Sequence, residues 1–315
     1  MPHRRLPAAI WSALRPYQWV KNVIVFGGLA FTGRWHRHGG GAHVDIPHAA
    51  AYALAAFVIF CLLSSAGYLI NDVKDIEADR QHPEKRRRAI ASGQLSVGLA
   101  TVIAIVLFAI AMVGAAALSM RPRTEHFLLT VVTYAVLTNW YSMQLKRFVI
   151  IDALSIAALF VMRAIAGCWV IPEPPSKWIV ACTFFGALFI ALCKRRAELV
   201  AESDTGDTRA VLRKYRTAQG DGANLLDSMV QMAGTATILT YALYTFNRPA
   251  ELGLEREQGR LMLTIPFVVY GVFRYLYLVH KADIGQNPEK LFSDRAMIIN
   301  LVLWVVAMLA ATYER

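Results

Sequence analysis

The apolar residues of this chain fall into blocks of about 17–25, the length an α-helix needs to cross the ~30 Å hydrocarbon core of a bilayer. Nine blocks are read, at roughly 17–33, 48–70, 97–118, 126–143, 150–171, 177–193, 228–247, 261–279 and 296–313. The first is the weakest, because Lys21 and Asn22 stand near its start. Backbone inside lipid must satisfy its hydrogen bonds internally. The expectation is therefore an all-α fold: a polytopic membrane bundle of nine transmembrane helices, with residues 1–315 as a single integral membrane domain. Arg4 and Arg5 are not followed by a clean apolar core and small-residue cleavage site, so no cleavable signal peptide is expected.

The 33 Lys and Arg outnumber the 22 Asp and Glu, giving a formal net charge of +11. Alternate loops share the cations unequally. With the N-terminus in the cytoplasm, inner segments carry 21 Lys and Arg and outer segments 9. This predicts the N-terminus inside and the C-terminus outside. The basic excess then belongs to an inner membrane face, where anionic lipid accounts for most of it. No nucleic-acid partner is called for. The four cysteines, Cys61, Cys168, Cys182 and Cys193, lie in or beside apolar spans without a CxxC pair and read as small buried hydrophobes. The loop with His36, His38, His43 and His48 lacks helical metal-ligand spacing and reads as a polar outer loop.

One charged cluster asks for more. "NDVKDIEAD" (71–79) follows the second apolar block and places Asp72, Asp75, Glu77 and Asp79 close together. On a helix, Asp72, Asp75 and Asp79 share a roughly 60° arc, with Asn71 at its edge and Glu77 on the other side. Like charges at these spacings repel, and acids beside a span are costly. An ion-paired helix end would be one answer. A hard divalent cation with oxygen ligands is a better one. Mg uses one or two carboxylates, waters and substrate phosphates. Pro83 then ends the helix, and Lys85, Arg86, Arg87 and Arg88 follow, cations suited to free phosphate oxygens. The pairing of acids for a metal with cations for phosphate suits a phosphorylated anion.

"NDVKDIEAD" resembles the N-D-x-x-D-x-x-x-D signature of the UbiA superfamily of membrane prenyltransferases, at the cytoplasmic end of the second span as in that family. "YSMQLKR" (141–147) is similar to its Tyr…Lys-Arg segment. The usual aromatic prenyltransferases carry a second acidic motif after the sixth span. Here that place reads "LCKRRAELVAESDTGD", with Lys194, Arg195 and Arg196 where acids would stand and Glu198 beyond. This resembles the branch that uses phosphoribosyl pyrophosphate, the decaprenyl-phosphate phosphoribosyltransferases. "LRPYQWVKNVIVF", "SAGYLINDVKDIEADRQHPEKRRR", "YSMQLKRFVIIDALSIAALFVMRAIAG" and "CKRRAEL" carry the likeness, over about residues 14–200. One departure is Ala89, where the family pattern has Pro; this predicts a looser turn with no charged ligand lost.

The resemblance implies transfer of the 5-phosphoribosyl group from phosphoribosyl pyrophosphate to decaprenyl (polyprenyl) phosphate, with diphosphate leaving. The product class serves lipid-linked arabinose donors for cell-wall arabinan. Mg is the implied cofactor, held by Asn71, Asp72, Asp75 and Asp79, the three aspartates counting as catalytic. Lys194, Arg195, Arg196 and Glu198 are implied for the ribose phosphate and hydroxyls. Lys85, Arg88, Tyr141 and Lys146 are substrate ligands, and Lys21 and Asn22 are candidates for the lipid phosphate. Arg163, about 20 Å into the fifth span, needs a carboxylate or phosphate partner; it is expected to pair with another span or line a wet cavity, and it is counted among the substrate-binding residues. Arg274 and Tyr270, Tyr275 and Tyr277 read as interfacial. The expected partners are the two substrates and the membrane, and a homo-oligomer is compatible with the sequence. Two other readings stay open: prenyl transfer from a prenyl diphosphate to an aromatic acceptor, and an ion-coupled transporter, which would place acids near the midplane.

Overall fold

The computed structural model describes residues 6–31, 46–83, 85–171, 174–205, 222–251, 255–281 and 294–313. Three of the outer-loop histidines, His36, His38 and His43, lie outside them. No strand occurs among the described residues. Among the described residues, five stretches are long and apolar enough to cross a membrane: Pro47–Lys74, Val97–Ser119, Ile151–Val170, Lys177–Val200 and Gly259–His280. Arg295–Ala311 is a shorter apolar helix. The remaining expected blocks are helical too, but shorter or more polar. Two compact units are present: Met1–Met143 with Met162–Pro175, and Gln144–Val161 with Ser176–Arg315.

The first unit begins with α1 (Leu6–Leu14), a 3₁₀ segment (Pro16–Phe26) and α2 (Gly27–Phe31). Arg15 lies between α1 and the 3₁₀ segment with φ 52° and ψ 58°, in the left-handed region. Proline at 16 disfavours the α conformation for the residue before it, so the chain turns sharply at this point. The 3₁₀ segment is unusually long for its type and is rich in β-branched Val20, Val23, Ile24 and Val25, residues that crowd an α-helix. It is seated on α3 (Ile46–Lys74). Trp19 Nε1 donates to Ser65 Oγ at 3.0 Å, and Ser65 Oγ donates to the Leu14 carbonyl at 2.9 Å.

Alanines set the packing of α3 on α5 (Val97–Ser119). Ala53, Ala56 and Ala66 on α3 and Ala100, Ala104, Ala111 and Ala115 on α5 are all buried. Small residues allow the close helix approach that packing in lipid depends on. A close crossing lies between Val25 and α7 (Ile151–Val170): a Cβ placed on Gly167 would stand 1.8 Å from the Val25 carbonyl oxygen. One placed on Gly28 would stand 2.6 Å from the Gly167 carbonyl oxygen.

The loop after the acidic motif is anchored, contrary to the looseness expected at Ala89. Ala89, Ile90 and Leu95 are buried against Ala9 and Ala13 of α1, Leu69 of α3, and Ala100 and Ala104 of α5. Leu95 N–H donates to Ala89 O at 2.9 Å, and Gly93 supplies a φ of +78° for the turn. Burial of apolar side chains and a glycine turn therefore do the work assigned to the missing proline.

The second unit holds α8 (Lys177–Thr205), α9 (Gly222–Glu251), α10 (Glu255–Met262), α11 (Ile265–Lys281) and α12 (Arg295–Tyr313), and its core of Phe189, Leu192, Leu226, Val230, Val272 and Tyr275 is built by α8, α9 and α11. Tyr270 and Tyr277 are exposed, as an interfacial role requires, but Tyr275 is buried in this core. Arg274 donates to Asp294 at 2.8 Å, and Asp294 also caps α12 by accepting from the Met297 N–H at 2.9 Å. The Arg274 hydrogen bond holds the Asp294 carboxyl below its usual range. A carboxyl lowered in the folded state adds stability above its unfolded pKa and loses it as pH falls through the lowered value. Wild type should therefore lose more thermal stability over that acid range than Asp294→Asn, measured by melting in detergent. Equal losses would remove the pair from the account.

Candidate active site

The acidic motif straddles the join of α3 and α4 (Ile76–Gln81). Helical hydrogen bonds run across it, from Asp75 N to Asn71 O at 2.9 Å and from Asp79 N to Asp75 O at 2.8 Å. At Asp75 the backbone departs to φ −94° and ψ 11°. Asp72 and Asp79 are buried, at 5% and 3% exposure, while Asp75 and Glu77 are exposed. The shared face is thus carried inward by two of its three aspartates. Arg88 Nη1 donates to Asp72 Oδ1 at 3.0 Å and to Asp79 Oδ2 at 2.6 Å. Both carboxylates therefore converge on one nitrogen. Arg15 Nη2 donates to the same Asp72 Oδ1 at 2.5 Å, with its guanidinium 5.1 Å from the centre of the Tyr68 ring.

No group of three His, Cys, Asp or Glu stands close enough to hold a metal ion among the described residues. The seat offers two carboxylates, and the Asn71 amide is turned to Ser142 Oγ at 3.3 Å. Two carboxylates suffice for Mg, whose remaining positions go to water and substrate phosphate. A cationic nitrogen bridging both aspartates shows that the two oxygens can share one positive centre. Of the basic run, Lys85 is half-buried in a short 3₁₀ turn, and Arg86 and Arg87 are exposed.

A second polar site lies deeper in the same unit. Arg163 on α7 is buried, as is Asn22 of the 3₁₀ segment. Arg163 Nε donates to Asn22 Oδ1 at 2.8 Å, and Nη2 donates to the Tyr134 hydroxyl at 2.6 Å. Its guanidinium also lies 4.7 Å from the centre of the Tyr134 ring. Asn22 Nδ2 reaches Cys61 Sγ at 3.4 Å and Ser64 Oγ at 3.5 Å. Where a carboxylate or phosphate was expected beside Arg163, the partners met here are an amide and a phenol. Lys21 is half-buried, and its Nζ donates to Gln18 Oε1. Tyr141, at the end of α6 (Glu125–Met143), is half-buried.

In the second unit, α8 presents Lys194, Arg195, Arg196 and Glu198. Asp152, in the first turn of α7, is wholly buried. Arg195 grips it with two hydrogen bonds, Nε to Oδ2 and Nη2 to Oδ1, the latter at 3.0 Å. Arg195 Nη1 also donates to Glu198 Oε2 at 2.5 Å. Arg196 Nε donates to Asp227 Oδ1 at 2.7 Å. Lys194 Nζ stands 4.0 Å from Glu198 Oε1, and its side chain is 36% exposed. Lys194 is the most exposed cation of the cluster, whereas the two arginines are held more closely by carboxylates. Lys146, half-buried in the turn Leu145–Arg147, belongs to this unit as well.

Breaking a buried ion pair by deleting one partner costs about 3–5 kcal/mol. Glu198 remains for Arg195 when Asp152 is removed, so Asp152→Ala should sit near the lower end. A double-mutant cycle with Arg195→Met, read by thermal melting in detergent, should show strong coupling. Additive losses would contradict the pairing.

Asp152, Arg15, Tyr134 and Asp227 are side-chain partners of the expected site residues to which sequence reasoning gave no part. Asp152 had a signal, as the one acid at the start of an apolar span. Arg15 had another, as a cation directly before the proline of "LRPYQW". Tyr134 and Asp227 carried none; their partners lie 29 and 31 residues away.

Residues 23–302 match the UbiA prenyltransferase family. The chain is 33% identical to the decaprenyl-phosphate phosphoribosyltransferase of Mycobacterium tuberculosis, over 98% of this chain and 96% of that protein. It is 32% identical to the decaprenyl-phosphate phosphoribosyltransferase of Corynebacterium glutamicum, over 99% of this chain and 89% of that protein. Its fold is similar to the structure of a UbiA homologue from Archaeoglobus fulgidus bound to GPP and Mg2+. That likeness has a TM-score of 0.65 at 16% identity, and covers 97% of this chain and 100% of that one.

Proposed function

Since this chain belongs to the UbiA prenyltransferase family, we propose that it transfers the 5-phosphoribosyl group from phosphoribosyl pyrophosphate to decaprenyl (polyprenyl) phosphate and releases diphosphate. The relatives named for that reaction match almost end to end. The observation that carries the site is the convergence of the buried Asp72 and Asp79 across the join of α3 and α4, with a basic loop attached. The chain is an integral membrane protein. Nine spans, an inner N-terminus and a cytoplasmic site remain part of the proposal, supported by the charge bias between loops.

Asp72 and Asp79 would hold Mg, with Asp75 and Asn71 at its margin. Mg, when bound, supplies charge neutralisation for the departing diphosphate. The protein's own share is positioning. Lys85 and Arg88 extend from the anchored loop toward phosphate oxygens, and Arg15 fixes Asp72 in place. Lys194, with Lys146, is assigned to the ribose phosphate, while Arg195, Arg196 and Glu198 hold that cluster in shape. Lys21 and Tyr141 are assigned to substrate phosphate, and the buried Arg163–Asn22 pair supports the 3₁₀ segment from which Lys21 projects. The acceptor is already an anionic phosphate, so the chain needs no strong general base, and alignment of the two substrates supplies much of the rate.

Donor choice tests the reading. Protein in nanodiscs is given either phosphoribosyl pyrophosphate with polyprenyl phosphate, or a prenyl diphosphate with an aromatic acid. Diphosphate should appear only with the first pair. Release only with the second would replace the proposal by aromatic prenyl transfer.

A further inference from the structure

Arg88 and a metal ion would compete for the same two oxygens. Arg88 Nη1 sits on Asp72 Oδ1 and Asp79 Oδ2, the atoms through which two carboxylates would share a cation. On the reading that these aspartates hold Mg, we infer that Arg88 is an exchangeable counter-cation. It keeps the two carboxylates paired in the absence of metal and gives them up to the metal when diphosphate arrives to receive its guanidinium. Metal and diphosphate binding are thereby coupled through one side chain.

The geometry separates the mobile cation from the fixed one. Arg15 also contacts Asp72, but its side chain is 17% exposed, packs over Tyr68, and issues from a backbone turn locked by Pro16. The Arg88 side chain is 30% exposed and reaches back from the loop. Its main chain is held: Arg88 N–H donates to Lys85 O at 2.9 Å, Ser92 N–H donates to Arg88 O at 2.9 Å, and Ala89 and Ile90 are buried beside it. Exchange therefore needs only side-chain rotation. The loop stays where it is, so the displaced guanidinium remains within a side chain's length of the metal.

Charge decides the order of events. A dication arriving alone must evict Arg88 from its carboxylates and then sit near an unpaired guanidinium, where like charges repel. Arriving with diphosphate, it leaves Arg88 with an anion, and charge-assisted hydrogen bonds to phosphate replace those to the aspartates. Metal alone should bind weakly, and the pair should bind tightly.

The test uses detergent-purified full-length chain and two binding measurements. Mn2+ alone is titrated by electron paramagnetic resonance, and radiolabelled inorganic diphosphate is bound at saturating Mg2+. Arg88→Gln should bind Mn2+ alone roughly tenfold more tightly than wild type, as loss of about 1.4 kcal/mol of competition gives. It should bind diphosphate at saturating Mg2+ roughly tenfold more weakly, a comparable energy. Arg88→Lys, a cation on a shorter stem and without the fork that grips phosphate by two bonds, should fall between on both scales, and it serves if the glutamine variant folds poorly. Opposite signs are the signature, because a merely structural role would weaken both. Unchanged or weaker Mn2+ binding in both variants, with diphosphate binding still metal-dependent, overturns the exchange and leaves the function standing. Failure of every form to bind Mn2+, and diphosphate binding indifferent to Mg2+, overturns the exchange together with the metal assignment.

Discussion

Asp72→Asn and Asp79→Asn should each lower transfer by about a hundredfold to a thousandfold, the scale seen when a single group stabilising developing charge is removed. Both side chains are buried, and both accept from Arg88, with Arg15 adding to Asp72 alone. The amide keeps shape and removes one negative charge. At Asp72 two arginines lose their shared partner; at Asp79 only one does. The Asp72 variant should therefore also melt at a lower temperature than the Asp79 variant, and the two losses of activity should not add, since both report one seat. Asp75→Ala is the informative contrast. The first reading of the motif gives Asp75 equal standing, whereas in the fold it is exposed at the break between α3 and α4. Normal turnover in Asp75→Ala would remove it from the site.

Gly167→Ala should be the most damaging single change outside the acidic motif. The added Cβ would lie 1.8 Å from the Val25 carbonyl oxygen and 3.1 Å from the Val25 Cα. Both neighbours are backbone, so no side chain can turn away. Relief requires α7 to part from the 3₁₀ segment, and with it Arg163 from Asn22. Overpacking alone costs about 1–3 kcal/mol, and loss of a buried charged hydrogen bond adds about 1.5–3 kcal/mol. The expected result is a large fall in melting temperature with little monodisperse protein recovered from membranes. Gly28→Ala, at 2.6 Å from the Gly167 carbonyl, should show the same defect to a smaller degree. A Gly167→Ala protein that melts like wild type would contradict the close crossing.

Periodicity made the helices legible, because a chain in lipid leaves few alternatives to an apolar helix. The same arithmetic found the acidic face and set Glu77 apart, and Glu77 is indeed exposed. It could not foresee the single-residue departure at Asp75, which follows from tertiary seating and leaves Asp72 and Asp79 as the inner pair. Nor could it see that the first block starts as a 3₁₀ segment, as far as Phe26; hydrophobicity does not distinguish two helices that differ by one hydrogen-bond register. Arg163 was legible as a residue in need of a partner, but Asn22 lies 141 positions away. "CKRRAEL" pointed to anion binding by three cations. The fold gives Arg195 to Asp152 and Glu198, and Arg196 to Asp227, so the cluster is as much a brace as a binding surface. Charge counts along a chain do not reveal which cations are already matched.

Transfer is tested by following both ends of one donor. Phosphoribosyl pyrophosphate labelled on its 5-phosphate is incubated with polyprenyl phosphate and the protein in nanodiscs, with and without Mg2+; a parallel sample carries the label on the terminal diphosphate phosphorus. The account predicts Mg-dependent passage of the 5-phosphate label into the lipid phase and release of the other label as water-soluble diphosphate, both lost in Asp72→Asn. Absence of label from the lipid in the wild type, with the protein folded and Mg2+ present, would contradict it.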